Sequence, residues 1–190
     1  MNPLLYDLTM LNGIPANEKQ LRKYFEKAVE GFAEEVSFDN LGSVIAKKTG
    51  KADGPKIMVA GHLDEIGFIV SEITKEGYVK FIPAGGWWGH VVLSQQFTIT
   101  TQDGREVIGV VGSKPPHILA EEERKKVVDT KDMYLDLGVS SKEEAANLGV
   151  KIGDMITPFI QSKPLGNPKY LLAKAFDNRI GVALAIEVLK

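Results

Sequence analysis

The change of patterning at Gly67 constrains the fold more than any other feature of this sequence. From Phe68 to about Ile160 the chain breaks into short alternating runs, "FIVSEIT", "YVKFIP", "QFTITT" and "VIGVVG". Gly77, Asp103-Gly104 and Gly112 punctuate them. Closely spaced β runs of this kind close into a small barrel or sandwich. The sequence on either side has a different character. Residues 3 to 12 read as a short helix. Asn17 is placed as an N-cap with Gln20 three residues on, as in a capping box. Leu21, Tyr24, Phe25, Ala28, Val29 and Phe32 then recur at helical spacing, which predicts an amphipathic helix weakened at Gly31. "EVSFDNLGSVIAKK" reads as a hairpin turning at Asp39, Asn40 and Gly42. "KIMVAGH" is a near-continuous apolar run, the pattern of a strand buried on both faces of an α/β sheet. "FDNRIGVALAIEVLK" reads as a helix still in progress at Lys190. Its face carries Ile180, Leu184 and Val188, with Val182, Ala183 and Ile186 nearby. A domain that stops in mid-helix is often a piece of a longer one. The organisation expected is an α/β domain, 1–66 and 165–190, interrupted by a β domain at 67–164. Within the β domain, "SSKEEAANLG" predicts a short helix capped by Ser140 or Ser141 and stopped at Gly149. "HILAEEERKKVV" is either helical or mobile.

Composition narrows the function. The formal charge is −2 with pI near 6.0, which leaves no basic excess for nucleic acid or an anionic membrane. There is no cysteine, so any metal rests on His, Asp and Glu. The N-terminal residues carry no secretory pattern, and no apolar run approaches the roughly 20 residues of a membrane span. A cytoplasmic protein is expected.

Within that frame "VAGHLDEIGF" stands out, because a strand-like run ends in His62 with Asp64 two residues on. Side chains two apart share one face of an extended strand. A ligating histidine needs its other ring nitrogen held, commonly by a carboxylate. In open α/β sheets, ligands gather beyond the carboxyl ends of strands. A lone H-x-D is nonetheless more often structural. Asp177 follows the run Leu171 to Ala173 and precedes the terminal helix. It reads as an N-cap, as a second strand-end carboxylate facing a metal, or as both. His90 and His117 fall in loops of the β region and read as solvent or interface groups. Trp87 and Trp88 read as core or as a patch for a partner subunit. "EEERKK" at 121 to 126 reads as a solvated face. Asp129, Asp132 and Asp136 form no calcium loop.

Taken in order, "GHLDEIGF", "GGWW", "LSQ", "GVVGSKPPH", "DLGVSSKEEAANLGVKIGD" and "AFDNRIGVALAIEVL" resemble the M42 family of metallo-aminopeptidases. That family includes glutamyl and tetrahedral aminopeptidases, and some members carry an older cellulase or endoglucanase label. The resemblance spans essentially the whole chain. It implies a phosphorylase/peptidase-like α/β catalytic domain, incomplete here, interrupted by a PDZ-like β barrel through which a homo-oligomer assembles. It implies two divalent ions, zinc or cobalt, activating water against a peptide with a free N-terminus. It assigns His62 to one ion, Asp64 to orienting that histidine and Asp177 to bridging both ions. Family members continue past the position of Lys190 and carry there a Glu-Glu pair, a further acidic ligand and a late histidine. The 190 residues alone are therefore expected to be inactive. Two other readings stand beside this one. The chain is a non-catalytic assembly module built around the β domain, or it is a glycoside hydrolase, whose facing carboxylates lie about 5 to 9.5 Å apart.

Overall fold

The computed structural model describes residues 3–190. Its helices and strands run, in chain order, α1 (Pro3–Met10), α2 (Lys19–Val29), β1 (Glu35–Phe38), β2 (Val44–Lys47), β3 (Gly67–Ile73), β4 (Val79–Ala84), β5 (Gln96–Thr100), β6 (Glu106–Gly112), α3 (Glu121–Arg124), β7 (Tyr134–Asp136), α4 (Lys142–Asn147), β8 (Met155–Pro158), β9 (Lys163–Pro164), β10 (Leu171–Leu172) and α5 (Phe176–Leu189). They divide into two compact units. One takes in the chain up to Glu65 together with Ile160–Lys190, and the other is Ile66–Phe159.

In the first unit three helices share a core. Leu21, Phe25 and Val29 repeat every four residues and line one side of α2. They pack in one cluster with Leu4 and Leu8 of α1 and with Val182, Ala183 and Ile186 of α5. The opposite face of α5, with Ile180, Leu184 and Val188, is exposed. Residue 31, a glycine at φ +80°, lies just past α2, a conformation L side chains avoid. The helix starts differently from expectation. Glu18 occupies the cap position without a side-chain cap bond, and its carboxylate instead accepts from the Ala16 N–H at 2.9 Å. Asn17 is diverted into a backbone bridge with Ile14. The hairpin β1–β2 turns where expected. Asp39 Oδ1 accepts from the N–H groups of Leu41 (2.9 Å) and Ser43 (2.8 Å), and Gly42 takes φ +87°.

The apolar run Lys56–His62 is not a strand buried on both faces. None of its residues lies in a strand, and Ile57 and Met58 are 81% and 90% exposed. A strand exists only through partners for its backbone. The sheets of this unit, among the described residues, are the two antiparallel pairs β1–β2 and β9–β10, and neither reaches this run.

The second unit is a closed antiparallel barrel in the order β3-β4-β7-β6-β5-β8. The alternating runs read from the sequence became β3 to β6, and closure came from the short β7 and β8. Phe68 is at the centre of its core. Trp87 stacks on it at 4.7 Å, and Phe81 and Phe97 close on it at 4.6 and 5.4 Å. The Trp87 indole N–H donates to Gly67 O at 2.8 Å. Trp87 is therefore core, whereas Trp88 is 76% exposed. Ser141 caps α4, its hydroxyl accepting from the Glu144 N–H at 3.2 Å. His90 and His117 lie exposed in single turns of 3-10 helix.

Candidate metal centre

Two segments of the first unit meet at His62. Gly61 allows the approach. A Cβ there would stand 2.8 Å from Val182 N and 3.0 Å from the carbonyl carbon of Gly181. No side chain fits between this segment and the backbone of α5. The helix itself is irregular where it begins. Ala175 is left-handed, and Asp177 and Asn178 depart from helical geometry, with a cis peptide between them. Asn178 provides the local cap, its Oδ1 accepting from the Gly181 N–H at 2.8 Å. That leaves the Asp177 carboxylate for another partner.

The partner is His62. Its Nδ1 lies 3.0 Å from Asp64 Oδ1 and its Nε2 lies 3.0 Å from Asp177 Oδ1. The structure thus brings together all three residues singled out from the sequence. Asp177 is 95% exposed and His62 51%, so the group is open to solvent. Burial alone would lower the His62 pKa. The hydrogen bond to Asp177 and the charges of both carboxylates outweigh it and hold the pKa above the ordinary 6.5. In its protonated form an imidazole between two carboxylates donates an N–H to each.

A pH dependence follows. The His62 pKa is raised in the folded state. Its contribution to stability is complete below the unfolded value and is lost as pH rises through the folded one. A proton NMR titration is expected to give His62 a midpoint above 6.5. Asp177→Asn should lower that midpoint. A midpoint at or below 6.5 with Asp177 intact contradicts the geometry.

The donor set fits part of a metal site. His62 Nε2 and Asp177 Oδ1 converge, and Asp64 holds the remaining ring nitrogen, as a carboxylate commonly does for a ligating histidine. A catalytic zinc site usually takes three protein ligands. Among the described residues no group of three or more His, Asp or Glu is arranged to hold one ion.

Beneath this open site lies a buried polar network that the sequence reading missed. Glu65, Lys174 and Arg179 are all buried. Glu65 Oε1 accepts from Lys174 Nζ at 2.7 Å and from Arg179 Nη2 at 3.2 Å. Lys174 also donates to Asn12 Oδ1 at 2.5 Å. Burial raises the Glu65 carboxyl against the pull of both cations, and burial also lowers Arg179. The available signal was three charged residues lying within three positions of His62 or Asp177.

Comparison with known proteins points to one family. The family model described as M42 glutamyl aminopeptidase matches residues 42–190. A glutamyl aminopeptidase of Lactococcus lactis is 34% identical over 185 residues, covering 96% of this chain and 52% of that protein. The crystal structure of a TET aminopeptidase from the marine sediment archaeon Thaumarchaeota archaeon SCGC AB-539-E09 superposes with a TM-score of 0.92. It is 43% identical and covers 98% of this chain and 52% of that one. A TET1 peptidase of Pyrococcus horikoshii, described as assembling into a tetrahedron or a large octahedral shell, gives 0.84 at 30% identity over 98% of this chain and 54% of that one. The chain spans about half the length of these relatives.

Proposed function

The chain belongs to the M42 glutamyl aminopeptidase family, and on that premise we propose that it contributes the His62–Asp177 side of a two-metal site that removes N-terminal residues from peptides. The observation that carries this reading is His62 held between two carboxylates, 3.0 Å from each, on opposite ring nitrogens. Held there, zinc or cobalt would supply Lewis-acid chemistry toward a scissile carbonyl and a water activated at about pH 7. Asp64 fixes the ring orientation of His62 and keeps the proton on Nδ1, which leaves Nε2 as the ligating atom. Asp177, almost fully exposed, would be the carboxylate to hold the ions beside His62. We assign the remaining ligands and the general base to the length that the relatives carry beyond the matched half. The 190 residues alone are then inactive. On the same premise we infer a phosphorylase/peptidase-like type for the α/β unit and a PDZ-like type for the barrel.

We also infer a homo-oligomer assembled through the barrel, in the cytoplasm. Trp88, Val91 and Val127 are exposed on the barrel, and Gly89 lies against the Val127–Val128 segment. Exposed apolar groups of this kind suit a subunit contact. The second reading, a non-catalytic assembly module, rests on the same group. A strictly monomeric protein in sedimentation removes the assembly inference. No helix among the described residues is long and apolar enough to cross a membrane.

The test is a peptidase assay on a polypeptide that joins these residues to the length the relatives carry beyond them. Aminoacyl-p-nitroanilides with a free amine should be cleaved and their N-acetyl forms should not. A chelator should stop the reaction, and zinc or cobalt should restore it. Cleavage that persists in chelator, or that ignores the acetyl block, overturns the reading.

A further inference from the structure

We propose that Arg179 is the positioning residue of the ligand pair, held in place by Glu65 and Lys174. The proposal rests on the metal-site reading above.

Arg179 is 0% exposed. Its Nε donates to Leu63 O at 2.9 Å, the carbonyl between His62 and Asp64. Its Nη1 donates to Leu8 O at 2.8 Å and to Leu11 O at 2.5 Å, at the end of α1. Its own backbone lies two residues after Asp177, at the start of α5. One rigid guanidinium therefore joins the segment that carries His62 to the segment that carries Asp177. It also fixes both to α1.

Glu65 holds the fork in register. Its Oε1 accepts from both Arg179 Nη2 and Lys174 Nζ, and its N–H donates to Gly13 O at 2.9 Å. Lys174 and Arg179 thus flank Asp177 in the chain, and both are tied to the residue that follows Asp64. A buried set of charges is a costly way to hold a core together. Apolar side chains of similar volume are often neutral or better for stability. What the charged set provides is direction. The planar fork has fixed donor angles, which an apolar contact lacks. The quantity it fixes is the separation of His62 Nε2 from Asp177 Oδ1.

The experiment is a cobalt(II) titration of the joined polypeptide described above, which carries the remaining ligands, read by calorimetry and by the visible d–d absorption of the bound ion. Far-UV circular dichroism verifies the fold of each variant. The informative variant is the double Glu65→Gln/Lys174→Met, which removes one cation and one carboxylate together and so keeps the net charge of the buried set. Folded, it should bind cobalt about 10–100-fold more weakly, the usual effect of losing an outer-shell contact, with an altered absorption band. Affinity within twofold and an unchanged band overturn the proposal. If the double variant does not fold, Arg179→Lys decides in the same way, since it keeps the charge and loses the fork to Leu63. His62→Ala is the control and should remove binding. If His62→Ala binds cobalt like the native protein, the metal-site reading itself fails. A native result for the double variant alone leaves that reading intact.

Discussion

His62→Ala is expected to abolish chelator-sensitive release of N-terminal residues in the joined polypeptide described above. An ion that loses an imidazole ligand is held loosely or misplaced. A metal's transition-state stabilisation is worth several kcal/mol. At about 1.4 kcal/mol per tenfold, the loss is about a thousandfold or more. Asp64→Asn provides the graded comparison. The amide still contacts Nδ1 but no longer holds a charge beside the ring. A loss of about 10–100-fold is expected, as for other partners of ligating histidines. Steady-state rates with added cobalt at fixed pH measure both. If His62→Ala keeps half the native rate, the imidazole has no part in the chemistry. If the two variants fall equally, Asp64 does more than orient.

The second large effect concerns stability. Arg179→Met fills a similar volume but orphans the carbonyls of Leu8, Leu11 and Leu63 and removes one of the two cations beside Glu65. Breaking a buried charged set in this way costs about 3–5 kcal/mol. Whole domains are stable by only about 5–15 kcal/mol, so the first unit is expected to be largely or wholly unfolded at modest urea. The variant also separates the two units. Both tryptophans, Trp87 and Trp88, lie in the barrel, while α1, α2 and α5 lie in the other unit. The helical signal at 222 nm should therefore melt early, with tryptophan fluorescence changing at the native urea concentration. A helical transition at its native position refutes the energetic argument. Fluorescence that shifts with the helices shows instead that the two units unfold together.

Much of this was legible in the sequence because it is local. The two-residue period in "FIVSEIT" and "QFTITT" is a strand signal carried by neighbouring residues alone, and it became β3 and β5, although β5 is buried on both faces from Phe97 to Thr100. The Asp39–Gly42 turn carries its own chemistry. His62 and Asp64 could be paired from strand geometry, although the structure holds them on an extended segment outside any sheet. What was not legible depends on partners. "KIMVAGH" is apolar whether or not anything covers it. Its composition cannot distinguish a central strand from an exposed segment. Asn17 had the right type for a cap, but the bridge to Ile14 took its backbone. The Glu65–Lys174–Arg179 set leaves no period at all, since Glu65 and Lys174 meet across 109 positions of sequence. Only the fold reveals that three unremarkable charges are buried together.

The barrel's first and last strands pair with each other, Phe68 opposite Ile156 and Ile69 opposite Met155. The chain therefore leaves the barrel beside the point where it entered. The cost of bringing two distant positions together grows with the length of free chain between them, by about 0.6 kcal/mol per doubling. For His62 and Asp177, 115 positions apart, that chain is mostly barrel. Once the barrel has formed, its ends are neighbours and the separation that matters shrinks to six positions on the His62 side, from Phe68, and 21 on the Asp177 side, from Ile156. A closed barrel is in this sense a staple between the two segments that flank it. Once closed, it brings His62 and Asp177 from 115 positions apart to fewer than thirty by way of its paired ends.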